Sequence, residues 1–380
     1  MIHQKIHVAY SETFLNSFNS LKDPRRINKG NIKYPLIEIL FLTISSVLCG
    51  YSDYVLIADF GKANLPWLRK FFPFKEGICS HDVIGKLFQR IDYQLFESLY
   101  SDWVKENFEL TQDELIAIDG KRICGSYDSY SGKMASHIVS AYVSSSAITL
   151  GQEAVAVKSN EITAIPKLLD KIDIKNAMIS IDAMGCQKTI ATKIVANGGN
   201  YFLAVKGNQK ELYNQMISLL ELNLPTHTDT HIWEETDHGR VEKRTATLLT
   251  DLSLLDQKED WTNLNCIAKI DTQRYCKVKK TTSKESRYYI CSSTDITAKK
   301  ANQYARGHWA VENKLHWQLD VNFDEDKARK RKGNSDKNFN LILKTGLTLL
   351  ERDKINKLSI KRKKLKASYN LDYRELLMKV

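Results

Sequence analysis

From residue 113 onward the chain alternates between two hydrophobic periods, and the order of that alternation predicts a fold. The stretches 115–123 (LIAIDGKRI), 137–145 (HIVSAYVSS) and 147–157 (AITLGQEAVAV) are short and largely apolar, so they read as three adjacent strands of an antiparallel meander. A helical segment at 160–171 follows. Next come a buried strand at 177–182 (AMISID), a helix from Gln187 to Ala196 stopped by Gly198 and Gly199, and a strand at 201–205 (YFLAV). The helix QKELYNQMISLLEL closes the run. The order β-β-β-α-β-α-β predicts an α/β domain whose later strands return parallel through crossover helices, which is the ribonuclease-H-like arrangement.

The flanking segments read differently. Residues 1–108 are helical in pattern, with Ser80 and Asp92 suited to N-cap positions. The apolar run from Tyr34 to Tyr51 contains Glu38 and falls short of the roughly 20 residues a bilayer needs, so it is expected to be a buried core helix. Arg25, Arg26, Lys86 and Arg90 leave two readings open here: docking on DNA, or a bundle that packs on the next domain. Residues 225–296 form a strand-rich stretch, with strands at 239–249, 263–270 and 286–293. From Thr297 the sequence TAKKANQYARGHWAVENKLHWQL has no Pro and one Gly, which predicts one long helix with His308 and Glu312 on a shared face. The expected division is a helical N-terminal domain (1–108), a core in two parts (109–224 and 297–350), a β-rich insertion (225–296) and a basic C-terminal tail (351–380).

Composition narrows the class. At 380 residues, 43% apolar and 27% charged, the chain can bury one or two sizeable cores. Its seven cysteines include no CxxC pair, which argues against a disulfide framework or structural zinc and for the cytoplasm. The N-terminus lacks the pattern of a signal peptide, and no membrane association is expected. The net charge of +11 favours a polyanionic partner. Basic residues are dense in KARKRK at 327–332 and in 351–380, where ten Lys and Arg face four Asp and Glu. A run of this kind is more often just a solvated face, so it only tilts the reading toward nucleic acid.

Two polar interruptions of apolar strands carry the candidate chemistry. Asp119 ends LIAI and Asp182 ends AMISI, which places each carboxylate at the rim of the sheet. Either aspartate alone reads as a turn or cap residue. The predicted topology makes their strands neighbours, so the two acids face one space, and paired hard oxygens suit Mg²⁺ or Mn²⁺. Two ions about 3.5–4 Å apart need a further carboxylate. Within HWAVENKLHWQLDVNFDED the best-placed one is Glu312, in mid-helix. Asp320, Asp324, Glu325 and Asp326 lie at or beyond the helix end, where capping or solvation explains them.

AIDGK, SIDAMGCQ, YFLAVKGNQ, HGRVEKR and RGHWAVENKLHWQLDVNFDED, in that order, together with DPRR and SHDVIGKLF near the N-terminus, resemble the Asp-Asp-Glu (DDE) transposases of bacterial insertion sequences. The likeness is to the H-repeat-associated (ISAs-type) group and spans nearly the whole chain. It implies a ribonuclease-H-like catalytic domain with a β-rich insertion before the third acid. The catalytic triad then falls on Asp119, Asp182 and Glu312, each a ligand of Mg²⁺, with Mn²⁺ as a substitute and two ions in the site. The implied reaction cleaves double-stranded DNA at the element's terminal repeats and joins the 3′-hydroxyl to target DNA, with a homodimer holding two ends.

The broader superfamily carries a Tyr, an Arg and a Lys around the glutamate. Here His308 stands at the Arg position and Leu319 at the Lys position, which leaves Arg306, Lys314 or Lys327 for phosphate contacts. Lys206 is either a scissile-phosphate contact or a solvated lysine beside a Gly turn. Arg240 and Arg244 share a strand face and line either a DNA groove or an exposed ribbon. Trp233 and Trp309 are core residues or platforms for a flipped base. Two alternatives stay beside the transposase: a structure-selective nuclease of the same fold, and a DNA-binding relic without catalysis.

Overall fold

The computed structural model describes residues 17–25, 32–108, 111–157, 159–222, 228–237 and 239–378. Ahead of the sheet, the described residues include the helices α1 (Leu36–Leu48), α2 (Tyr54–Ala63), α3 (Leu65–Leu68), α4 (His81–Arg90) and α5 (Tyr93–Asn107). The long apolar run is α1, and every residue of it except Ile37 is buried, as a helix that is apolar all round requires. Asp92 caps α5 by accepting from the Gln94 and Leu95 amides, whereas the Ser80 side chain makes no capping bond to α4. Arg25 is folded onto Asp23 and the Tyr34 carbonyl, while Arg26 lies outside the described residues.

The meander follows as β1 (Leu115–Ile123), β2 (Ser136–Val143) and β3 (Ile148–Ala154), paired antiparallel. Helix α6 (Glu161–Lys171) leads to β4 (Met178–Ile181), α7 (Lys188–Ala196) to β5 (Asn200–Val205), and α8 (Lys210–Glu221) closes the run. Strands β1, β4 and β5 are parallel neighbours.

Four more strands extend this same sheet: β6 (Thr228–Asp237), β7 (Arg240–Leu249), β8 (Cys266–Cys276) and β9 (Thr281–Cys291). The full order is β3-β2-β1-β4-β5-β9-β8-β7-β6, because β9 pairs antiparallel with β5. Strand β6 has no counterpart in the sequence reading. Its segment, TDTHIWEETD, is polar on both faces and lies at the sheet's edge, so it lacks the apolar alternation that marks a half-buried strand. Cross-strand ion pairs hold it instead, among them Lys243 with Glu234 at 3.2 Å, while Arg274 reaches Glu242 at 2.8 Å one strand further in.

The expected long helix is interrupted. Helix α9 (Ala298–His308) runs into a π-helical turn over Val311–His316 and then α10 (Trp317–Phe323). The final helices are α11 (Ser335–Arg352), α12 (Ile360–Tyr369) and α13 (Leu371–Leu377). Helix α11 lies between the sheet and the N-terminal helices: Gly346 packs on Val47 of α1, and the buried Lys344 donates to Ser140 of β2 at 2.7 Å. Residues 360–377, read as part of a basic tail, are helical and packed. Arg374, 1% exposed, donates to the carbonyls of Ala367 and Ser368 and to Asn64 Oδ1, and it lies over the rings of Phe60 and Trp67. Lys330 of the KARKRK cluster is likewise buried, against Tyr54 and Phe339. Among the described residues no helix is long and apolar enough to cross a membrane.

Candidate active site

The β1–β4 ladder ends at Ile118 opposite Ile181, so Asp119 and Asp182 come next on adjacent parallel strands. Side chains alternate along a strand, which puts Leu115, Ala117 and Asp119 on one face and Met178, Ser180 and Asp182 on the same one. That face carries α9: Gly307 packs on Leu115, and His308 Nδ1 lies 3.0 Å from Ser180 Oγ. Both aspartates are therefore half-buried beneath the segment that bears Glu312.

Local sequence fixes the Asp182 end. Its Oδ1 accepts from the Met184 and Gly185 amides at 3.1 and 3.2 Å, so it also does the capping work a turn aspartate would. The KGNQ motif clamps that turn, with Asn208 donating to the Ala183 carbonyl at 2.6 Å and Gln209 to the Cys186 carbonyl at 2.9 Å. On the β1 side the position after Asp119 is a close approach that suits glycine. A Cβ at Gly120 would collide with the Glu161 carboxylate and the His137 imidazole, which are themselves joined at 2.9 Å.

Burial pushes the Asp119 carboxyl up to about 7. The Gly120 amide bond opposes the shift, and the charges of Glu161, Asp182 and Glu312 add to it. The carboxyls of Asp182 and Glu312 are also raised, chiefly by desolvation, with Glu161 acting on Asp182 and Arg287 opposing the shift at Glu312. His316 Nδ1 lies 3.5 Å from Asp119, while burial pushes its imidazole down to about 3, so it approaches as a neutral ring. Its Nε2 is buried without a partner. Glu161, His137 and His316 carried no signal in the sequence, because each reaches the site through long-range packing.

His308 and Glu312 go to different partners. The helix breaks at Trp309, just after His308, and Glu312 lies within the π-turn that begins at Val311. His308 turns down onto the sheet, where burial holds its imidazole at about 4. Glu312 stays exposed at a cleft of roughly 770 Å³. The cleft is lined by Arg240, Arg244, Arg274, Arg287, Arg306 and Lys314, faced by Glu235, Glu242, Glu285 and Glu312. Of the basic residues singled out in the sequence, Arg240, Arg244, Arg306 and Lys314 thus meet in one place. Lys206 sits exposed beyond β5, and His308 is not part of the lining. Arg244 is 4% exposed and pinned by Glu235 at 3.0 Å and Glu242 at 3.1 Å, so it forms the wall rather than a groove surface. Trp309 lies 4.4 Å beneath the Arg287 guanidinium, and Trp233, 39% exposed, stands beside Arg244; neither is a core residue.

The acids past the helix end have their own partner. Lys121, from the AIDGK motif, contacts Asp320 at 2.7 Å, Asp326 at 3.0 Å and Glu325 at 3.1 Å. These three carboxylates are the group close enough to share an ion among the described residues, and the Lys121 ammonium already sits among them, offsetting part of their charge.

Comparison with known proteins shows the family of the chain. A family model described as "Transposase DDE domain" matches residues 110–349, and one described as "DDE_Tnp_1-associated" matches residues 15–104. The chain is 38% identical to "Putative transposase YncI" of Escherichia coli O157:H7, over 96% of this chain and 94% of that one. It is 38% identical to "H repeat-associated putative transposase YhhI" of Escherichia coli K12, over 90% and 92%. A 15% portion is 36% identical to 67% of "Inactive transposase YbfQ" from the same strain. With its helical region matched by one model and its sheet by the other, the chain belongs to the DDE transposases of insertion sequences, in the H-repeat-associated group.

Proposed function

We propose that this protein is the working transposase of its element: it cuts double-stranded DNA at the terminal repeats and joins the 3′-hydroxyl to target DNA, on a ribonuclease-H-like core. One observation carries the reading. Asp119 and Asp182 sit side by side at the end of two parallel strands, under the helical segment that holds Glu312 at the mouth of a basic cleft. The strand order β3-β2-β1-β4-β5, antiparallel then parallel, supports the ribonuclease-H-like core. In this reading 109–224 and 297–350 form that core, 225–296 is the insertion that walls the cleft, and 1–108 supplies contacts to element ends through exposed residues such as Lys86 and Arg90.

The residues present suit a divalent cation. Asp119, Asp182 and Glu312 offer hard oxygens and are partly desolvated, and the charges of Asp182 and Glu312 raise the proton affinity of Asp119, an arrangement that a positive charge relieves. Bound there, Mg²⁺ or Mn²⁺, as one ion or two, supplies Lewis-acid activation of the attacking oxygen and neutralises charge on the phosphate. The chain itself does the rest. Gly120 and the Asp182 turn fix the two aspartates, the neutral His316 keeps a competing positive charge away from Asp119, and the cleft arginines orient the DNA backbone. A homodimer in the cytoplasm would hold two ends together.

The test is cleavage and joining of a duplex bearing the element's own ends, with Mg²⁺ or Mn²⁺, by the wild type and by Glu312→Gln. Joining that the substitution abolishes while DNA binding survives is the expected result. Cutting without joining would leave a nuclease, and unchanged joining by Glu312→Gln would remove Glu312 from the triad.

A further inference from the structure

His308, which precedes Glu312 on the same helical segment, is buried against Ser180 and presents no charge to DNA, so a cation for the strand beside the acids has to come from elsewhere. Strand register identifies one. Strand β5 follows β4 with Ile181 level with Leu203, and it pairs with β9 through Ala204–Tyr289 and Val205–Tyr288. One step further, Lys206 stands opposite Arg287. Alternation puts both on the face that holds Asp119 and Asp182, since Phe202, four residues back and so on the same face as Lys206, stacks on Tyr289 at 4.4 Å and meets Tyr304 of α9 at 5.9 Å. Asp119, Asp182 and Lys206 therefore stand at the ends of β1, β4 and β5, and Arg287 lies level with Lys206 on β9, which runs on past this rim: two acids, then two bases. Lys206 lies one strand over and two residues on from Asp182, roughly 8 Å between Cα atoms at ordinary sheet spacings.

Arg287 is fixed from two sides. Its Nε and one terminal nitrogen donate to Glu285 at 2.8 and 3.0 Å, which leaves its terminal edge for a ligand, and its guanidinium lies 4.4 Å from the centre of the Trp309 ring, three residues before Glu312. Its charge bears on Glu312, and that of Lys206 bears on Asp182. The pair thus spans the gap between the acids and the arginine-lined cleft.

We propose that Lys206 and Arg287 form a clamp for the phosphodiester next to the scissile one, so that the cut strand crosses the rim from Asp119 toward β9 and continues into the cleft. This rests on the transposase reading above. A phosphate between the two side chains would accept a point-charge contact from Lys206 and a forked one from Arg287, with Trp309 fixing the plane of the fork.

The test uses full-length Glu312→Gln protein, which leaves DNA uncut, and duplexes carrying the element end that flanks its own gene. Each phosphate around the cleavage point is replaced in turn by a neutral methylphosphonate. One or two phosphates on one side of the cut should each weaken binding about tenfold when neutralised. Adding Arg287→Ala or Lys206→Ala should make those positions silent and leave the others unchanged, while Arg287→Lys should restore part of the penalty. If every position keeps its penalty in both alanine variants, the clamp is wrong even though the wild type cuts the duplex. If the wild type neither binds nor cuts it, the transposase reading falls and takes the clamp with it. Matching thermal melts of the variants separate lost contact from lost fold.

Discussion

Replacing Asp119 by Asn should make the metal-free protein more stable and insensitive to divalent cations. The Asp119 side chain is 19% exposed, and burial, aided by Glu161, Asp182 and Glu312, lifts its carboxyl from the ordinary 3.8 to about 7. The folded protein therefore binds this proton more tightly than the unfolded chain does. The stability so gained is fully present below pH 4, is lost as pH rises from about 4 to 7, and above that the fold carries the whole cost of a buried charge. Three pH units correspond to about 4 kcal/mol, an upper bound because water and side chains relax around the charge. Asparagine keeps the shape and removes the charge. With an unfolding entropy of about 0.8 kcal/mol per kelvin for a chain of this length, a gain of about 2–4 kcal/mol raises Tm by roughly 3–5 °C.

Calorimetric melts in chelator should show that gain at pH 8 and none at pH 4. Adding Mg²⁺ or Mn²⁺ at pH 8 should then raise the wild-type Tm, by linkage of binding to folding, and leave Asp119→Asn unmoved. A variant less stable than wild type at pH 8 without metal would refute the reasoning, because it would mean the carboxylate gains more from its surroundings than burial costs it.

Other substitutions probe the frame. Gly120→Ala should cost about 1–3 kcal/mol, since its Cβ meets the Glu161–His137 pair, and should weaken the Mn²⁺-induced Tm shift; a neutral melt would show that the pair moves aside without cost. Arg374→Met should lower stability by about 3 kcal/mol in denaturant titration despite removing one of many positive charges, whereas a solvated tail residue would change it by less than 0.5.

The sequence shows the first two acids because the apolar content of a buried strand is local: Ile116 to Ile118 and Ile179 to Ile181 announce the sheet, and the polar residue that ends each run announces its rim. Glu312 is legible as the mid-helix acid of its segment, but the π-turn that holds it is not, since a helix and a π-bulge share the same apolar spacing over one turn. Arg287 and Glu161 are illegible for another reason. Their positions depend on β9 joining β5 and on α6 crossing back over β1, contacts between segments far apart in sequence. Charge runs mislead in the opposite sense: Lys330, Lys363 and Arg374 count toward a basic surface in the sequence and are buried in the fold.

The extension of the sheet beyond β5 explains why so many arginines gather without unfolding the protein. Across β6 to β9, Glu235, Glu242 and Glu285 each pair with at least one of Arg244, Arg274, Arg287 and Arg306, so repulsion between guanidinium groups is offset before DNA arrives. A phosphate entering the cleft must compete with those carboxylates, and it wins only where its geometry matches a fork already aimed. On the proposed function the cleft would thereby select a backbone held in one register against the acids. The salt dependence of end binding should accordingly be shallower than six cations alone would give, because each displaced glutamate returns part of the charge that the phosphate neutralises.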